Sequence, residues 1–234
     1  MLIDLVIPTL NREKKLKDCV NSIIVAANTI PYFIRVYIYY SDKTEFYKGL
    51  DEYIARDTYI IPKLLDFPYD AALFWNKHLQ TTNANMMFYL NDDVILDKKC
   101  IIVACEQMLD NFYDMDGVIG LNQSNIPSDQ SVKAAFGVIG KTFADRFPER
   151  KVFCEDYKRF YLDLELEKYA TSINKFKYAK EAKLIHLHPA FTEGATDTTH
   201  DKVRTHLQQD KKTYYQRLSK DYLWGKTYDR ITSE

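Results

Sequence analysis

The chain reads as an α/β protein, a mostly parallel central sheet flanked by helices and followed by a C-terminal helix. Three observations predict it. Short β-branched and aromatic runs alternate with segments of helical period through the first half. Those runs end at proline or at small polar residues, as buried strands do. The first strand, helix and second strand have the lengths of a right-handed crossover unit.

Taken in order, Leu2 to Pro8 is a β-rich run stopped by proline, suited to a central parallel strand. Asn11 can cap the next helix, whose apolar positions Leu16, Cys19, Val20, Ile23, Ile24 and Ala27 share one face. Ile34 to Tyr40 is the second strand, closed by Ser41-Asp42. A third is expected at Tyr59-Ile60-Ile61, stopped by Pro62. Asp70 caps a helix through Ala71, Phe74, Trp75, His78 and Leu79, and a buried strand then runs to Asn91. A helix over Lys98–Phe112 and a strand at Val118–Leu121 complete this half. Further on, Val132 to Ile139 is a strand, Asp163 to Ala170 a short helix, and Lys183 to Pro189 a strand. The small polar stretch Thr192–His200 is expected to be a mobile loop. A last helix carries Val203, Leu207, Tyr214 and Leu218 on one face.

At 234 residues the chain is long enough for one large domain with a sizeable core. Lys plus Arg (32) nearly cancels Asp plus Glu (33), so bulk attraction to nucleic acid or an anionic membrane is not expected. The four cysteines lack zinc-type spacing and are expected to be buried thiols. No stretch approaches the ~18–20 apolar residues of a membrane span, and no leader pattern precedes the first strand. A soluble cytoplasmic protein is the expectation. The 18 tyrosines and 13 phenylalanines are spread through strands and helices, which suits core packing better than base stacking.

Asn91-Asp92-Asp93 is the stretch richest in chemistry. An ionised carboxylate is costly to bury unpaired, so two at the end of an apolar strand belong at the sheet's carboxyl edge. Paired oxygens there suit Mg²⁺ or Mn²⁺, which suits a diphosphate; an acidic turn accounts for the same residues. Asp42 ends the second strand at the same edge, where it is a sugar or base contact or a turn residue. Asp4, inside an apolar strand, is expected to be structural, and His78 to be packed. Asp163 and Glu165 open a helix whose dipole favours acids. Two apart, they point to different faces, so at most one serves a given pocket, and apolar neighbours can raise its pKa toward that of a base. His186 and His188 flank Leu187 on a strand and share a side, where either could complete a divalent-ion site.

These pieces in this order resemble GT-A glycosyltransferases, close to the inverting, nucleotide-sugar-dependent family 2 enzymes, over Met1 to Pro189. Val6 to Arg12 is similar to that family's opening strand and turn, which implies nucleotide contacts from Pro8, Thr9, Asn11 and Arg12. Asp42 matches the acid that meets the base or ribose, and Asn76 the asparagine of the helix before the acidic strand. Asn91-Asp92-Asp93 falls where the family has D-x-D, with Asn91 replacing the first acid. The resemblance therefore implies Asp93 as metal ligand and Asp92 or Asn91 toward ribose or sugar. Leu162 to Leu166 resembles E-D-x-D-L, whose second acid is the base; this maps onto Asp163, with Glu165 the alternative. His188, with His186 as second choice, matches the histidine that completes the metal site.

The resemblance implies a metal-dependent inverting glycosyltransferase that uses Mn²⁺ or Mg²⁺. It would move a sugar from a nucleotide diphosphate sugar donor to a glycan or other hydroxyl-bearing acceptor. It also implies a single GT-A domain: a Rossmann-like donor-binding half (1–97), an acceptor and catalytic half (98–190), and a mobile loop with the C-terminal helix (191–234). A sugar-nucleotide nucleotidyltransferase is the first rival, but Pro8-Thr9-Leu10-Asn11-Arg12 lacks the glycines of a phosphate loop. A non-catalytic sugar-nucleotide-binding domain is the second.

Overall fold

The computed structural model describes residues 1–10, 12–40, 60–64, 70–127, 131–189, 192 and 205–220. Asn11, Asp42, Tyr59, Val203 and the expected loop after Thr192 lie outside the described residues.

The predicted alternation is present. In chain order the elements are β1 (Leu2–Thr9), α1 (Glu13–Ala27), β2 (Phe33–Tyr40), β3 (Ile60–Leu64), α2 (Ala71–Thr81), β4 (Met86–Tyr89) and β5 (Val94–Leu96). There follow α3 (Cys100–Asn111), β6 (Val118–Gln123), β7 (Gly137–Gly140), α4 (Lys141–Ala144), α5 (Leu162–Ser172), β8 (Phe176–His186) and α6 (Leu207–Ser219). Eight described strands form one sheet in the order β3-β2-β1-β4-β7-β6-β8-β5. Pairs β1–β2, β2–β3, β1–β4 and β6–β8 are parallel; β4–β7, β6–β7 and β5–β8 are antiparallel.

Both faces of the sheet are covered, which is why its central strands read as nearly continuous apolar runs. Ile3, Leu5 and Ile7 of β1 and Met86, Phe88 and Leu90 at β4 pack with α1 and α3. Val6, Met87 and Tyr89 point the other way, into a second core with α2 and α5. Chain order reverses across β1, with β2 and β3 on one side and β4 on the other. Ligands of open α/β sheets bind at such a switch point, beyond the carboxyl ends of the strands. Thr9 and Arg12, and Asn91 to Asp93, lie there.

Several boundaries differ from expectation for identifiable reasons. Pro62 does not stop its strand: it pairs with Ile38 inside β3, the outer strand of the described sheet, where a missing N–H costs little. The strand expected over Val132–Ile139 shrinks to Gly137–Gly140. Upstream, side chains take the backbone groups instead: Tyr89 Oη donates to the Ala134 carbonyl at 2.9 Å, and the Ala134 amide donates to Glu167 at 3.1 Å. Gly137 permits this, because a Cβ there would lie 2.5 Å from Tyr89 Oη. β8 begins earlier than Lys183 and stops at His186, which leaves His188 beyond the strand. All four cysteines are buried free thiols, and Asp70 caps α2 by accepting from the Leu73 amide. No described helix is long and apolar enough to cross a membrane.

Asp4 holds the second core to β2 and α2. It is fully buried and accepts from Arg35 Nε at 2.7 Å, Arg35 Nη2 at 2.9 Å, Thr82 Oγ1 and His78 Nε2 at 2.7 Å. His78 Nδ1 meets Tyr39 Oη at 2.9 Å, so the network runs from β1 through α2 to β2. Burial raises the Asp4 pKa, but the bonds from His78, Arg35 and Thr82 outweigh it and the carboxyl sits below its ordinary value. Its stabilising contribution is therefore complete above about pH 4 and is lost as pH falls through the folded value. Asp4→Ala is expected to cost about 3 kcal/mol in urea unfolding at pH 7, the lower end for a broken buried pair because Arg35 is partly exposed. The wild type–variant gap should narrow below pH 4.

Candidate functional site

The site is built where β1 and β4 end side by side. Thr9 closes β1 and its Oγ1 donates to Asp92 Oδ2 at 2.8 Å. Arg12, the last residue before α1, sends Nη1 between the two acids, 3.0 Å from Asp92 Oδ1 and 3.0 Å from Asp93 Oδ2. Asp92 and Asp93 are only 1% and 2% exposed. Two adjacent carboxylates at that depth are sustainable only against a cation, and the guanidinium is that cation. The acids are not equivalent. Burial, followed by the charge of Asp93, raises the Asp92 pKa, and Arg12 and Thr9 only partly oppose this. Burial also pushes Asp93 upward, but His186, Arg12 and Arg159 outweigh it and hold this carboxyl below its ordinary value.

Asp93 is the acid with capacity to spare. Its Oδ1 is buried with no hydrogen-bond partner, and His186 Nε2 stands 3.5 Å away, too long for a charge-assisted hydrogen bond. His186 is the last residue of β8 and pairs with Val94 of β5. Asn125 grips its backbone, donating to the His186 carbonyl and accepting from its amide, each at 2.9 Å. Gln123 Oε1 meets His186 Nδ1 at 2.9 Å, and Phe136 stands edge-on to the ring. His188 lies beside His186, ring centroids 5.3 Å apart. His186, the second choice on sequence, is the histidine that faces Asp93.

The acids of α5 divide as their spacing requires. Glu165 is buried, accepting from Tyr157 Oη and held by Arg217 of α6 through Nη2 at 2.7 Å and Nε at 3.0 Å. Its charge is spent on joining α5 to α6. Asp163 stays partly open and bonds the Leu164 amide through Oδ1 at 2.9 Å. Burial of the carboxyl, offset only in part by that backbone bond, pushes it up to about 6. Tyr89, at the end of β4, has a pKa raised first by burial and then by the charge of Asp163, so the acid lies near the strand that leads into Asn91. Tyr161, just before α5, has a left-handed φ of 70° and stacks on Tyr214 at 5.0 Å. Asp210, fully buried on α6, accepts from the amides of Lys158, Arg159 and Phe160 at 3.0, 2.8 and 2.8 Å. It thereby anchors the segment whose Arg159 acts electrostatically on Asp93.

Thr9, Arg12, Asp92, Asp93 and His186 are thus brought into one constellation. Pro8 is part of β1, in register with Tyr39. Asn91 adjoins the group, and its buried Oδ1 has no hydrogen-bond partner. Asn76 is not brought there: its amide donates to the Phe153 carbonyl and to Glu155 and accepts from the Phe153 amide, which fixes the segment before α5. Glu165 is likewise kept away by Arg217. Sequence reasoning missed Gln123, Asn125, Arg159, Arg217 and Asp210. The available signal was in α6, a polar, mostly exposed helix on which one acid, Asp210, and one arginine, Arg217, stand seven residues apart and so lie on the same face.

No family model and no curated protein matches the chain. Solved structures do. The mannosyltransferase PcManGT from Pyrobaculum calidifontis, solved with GDP-Man and Mn²⁺, superposes with a TM-score of 0.66 at 12% identity, over 97% of this chain and 69% of that one. S. aureus TarS 1–349 superposes at 0.59 with 13% identity, over 77% of this chain and 58% of that one. The same protein with UDP-GlcNAc gives 0.59 at 13% identity. The chain therefore spans under three fifths of the TarS fragment. At these identities the likeness establishes the fold, which is the one the mannosyltransferase uses.

Arg12→Met should expose what the guanidinium does. With both acids left in place and uncompensated, unfolding in urea is expected to lose about 3–5 kcal/mol. In Arg12→Met combined with Asp92→Asn, much of that loss should return.

Proposed function

We propose that the chain is a glycosyltransferase that moves a sugar from a nucleoside diphosphate donor to an acceptor hydroxyl, with a divalent cation and with inversion. One observation carries the reading: at the switch point of this fold, the buried, unpartnered Asp93 Oδ1 and the His186 Nε2 face each other 3.5 Å apart. Two ligands on one ion, each about 2.1 Å from it and roughly at right angles, are separated by about 3 Å, so the pair fits Mn²⁺ or Mg²⁺. The described residues offer no cluster of three or more such groups. Remaining positions would then come from diphosphate oxygens and water, as is usual for these ions. The mannosyltransferase of the same fold was solved with GDP-Man and Mn²⁺, which supports the same ligand class here.

In this reading residues 1–97 hold the donor, with Thr9 and Arg12 at the turn and Asn91 and Asp92 toward ribose or sugar. Residues 98–190 supply the acceptor side. Asp163 takes the proton from the acceptor hydroxyl as its oxygen forms the new bond to the anomeric carbon. The bond from that carbon to the diphosphate breaks, and Arg12 stands close to where the charge develops. When bound, the cation adds Lewis-acid stabilisation of the leaving diphosphate. Inversion is supported by the acids themselves. Glu165 is neutralised by Arg217 and Glu167 is turned to the Ala134 amide. Among the described residues Asp163 is thus left as the base for a single displacement, its neighbouring carboxylates being held by Arg217 and the Ala134 amide.

Donor turnover should be measured against a panel of UDP- and GDP-sugars with Mn²⁺ and with EDTA, using release of the nucleoside diphosphate. Turnover is expected with Mn²⁺ and is expected to vanish with EDTA. Persistence in EDTA would exclude the metal, and silence across the panel would favour a binding domain. Asp163→Asn should reduce turnover about 10²–10⁴-fold while nucleotide affinity is retained. Because a base must be ionised, kcat/KM should rise about tenfold per pH unit below about 6 and level off above it. Near-normal turnover in Asp163→Asn would remove the base assignment.

A further inference from the structure

Gln123 closes β6, is 4% exposed, and stands behind His186 on the side away from Asp93. Its amide can be oriented in one way only. One end lies 3.3 Å from the Val132 carbonyl and 3.1 Å from Ser131 Oγ. A carbonyl can only accept, so that end is the NH₂ group. The other end, 2.9 Å from His186 Nδ1, is therefore Oε1, which also can only accept. His186 must carry a proton on Nδ1. In the neutral ring this leaves a lone pair on Nε2, and that atom faces Asp93 Oδ1, itself an acceptor without a donor. Two acceptors aimed at each other across 3.5 Å are repulsive unless a positive charge lies between them, a second ring proton in the empty site or a metal ion in the loaded one.

We propose that Gln123 is a positioning residue: it fixes the tautomer of His186 so that Nε2 and Asp93 Oδ1 present lone pairs to one divalent cation. The inference rests on the metal reading of the site and deepens it. Gln123 sets which ring nitrogen carries the proton by hydrogen bonding, Asn125 sets the backbone, and Phe136 limits the tilt of the ring. The ring is held from behind by groups that the ion itself does not touch.

Two measurements on the whole chain test it. The first is the ¹⁵N spectrum of the histidine side chains at pH 8 without metal. The wild type is expected to show His186 as the Nδ1–H tautomer, and so is Gln123→Glu, whose carboxylate accepts the same bond. Gln123→Leu is expected to shift His186 away from that form. The second is Mn²⁺ binding, read from the loss of free Mn²⁺ signal in the presence of UDP or GDP. Gln123→Leu should weaken it about 10–100-fold, and Gln123→Glu, which keeps the bond to Nδ1 but loses the one to the Val132 carbonyl, should bind more tightly than Gln123→Leu. The Glu variant keeps the test decisive if the Leu variant does not fold, since loss of the Nδ1–H form in it overturns the proposal. An unchanged tautomer and affinity in folded Gln123→Leu also overturns it. If wild type binds no Mn²⁺ with either nucleotide, the metal reading falls, and the ¹⁵N spectrum alone decides whether Gln123 sets the tautomer.

Discussion

Everything at the switch point depends on the two consecutive acids, Asp92 and Asp93, being kept below the surface. Neither would persist there in an apolar pocket, and a single guanidinium between them changes the balance. Arg12 can reach them because β1 and β4 are parallel neighbours, so the turn into α1 and the turn after β4 leave the sheet at the same edge. The fold thus supplies proximity, and the charge pairing supplies the reason that proximity is stable. It also leaves a deliberate imbalance: two carboxylates share one Nη1, and one oxygen of Asp93 is left over. That remainder gives the proposed cation its place.

A second structural theme is the separation of acids by partner. Asp4, Asp116, Glu165 and Asp210 are all buried or nearly so, and each is tied to arginine, histidine or backbone amides. Asp116, for example, binds Arg146 through both oxygens and has its pKa lowered chiefly by that contact. Asp163 differs in kind. It has only local backbone bonds and no cationic partner among the bonds described, so desolvation is offset only in part and its pKa moves upward. In such a molecule a carboxyl with a raised pKa and a partly open face is the exception, which is the physical basis for the proton-transfer role proposed for it.

The fold was largely legible because its signals are local. β1, α1, β2 and β4 carry uninterrupted apolar faces, and the proline and small polar stops fall close to the right places. What misled was equally local. Pro62 stops a central strand but not an outer one, and no single segment reveals its own position in the sheet. Val132–Phe136 has strand composition, yet Tyr89 and Glu167 take its backbone groups. The lysine-rich first half of β8 hid a strand whose side chains alternate into solvent. At the site, Asn91-Asp92-Asp93, Arg12 and Asp163 were readable as residue types in order along the chain. Which of Asp163 and Glu165 is tied to a cation, and which of His186 and His188 faces Asp93, were not. The first turns on Arg217, 52 residues away, and the second on Gln123, 63 residues away.

Those long spans bear on how the molecule comes into being. Segment 157–165 takes its shape from α6: Asp210 ties down three of its amides, and Arg217 neutralises Glu165. A ribosome delivers the acid before its counter-ion. While the chain is being made, β1 to β4 can assemble with Arg12 already beside Asp92 and Asp93. Glu165, however, must wait for the last described helix before it can be buried at low cost. The surroundings of Arg12, Asp92 and Asp93 can thus form early in synthesis, whereas those of Glu165 form only after α6 has been made, and the two acidic centres are secured at different times.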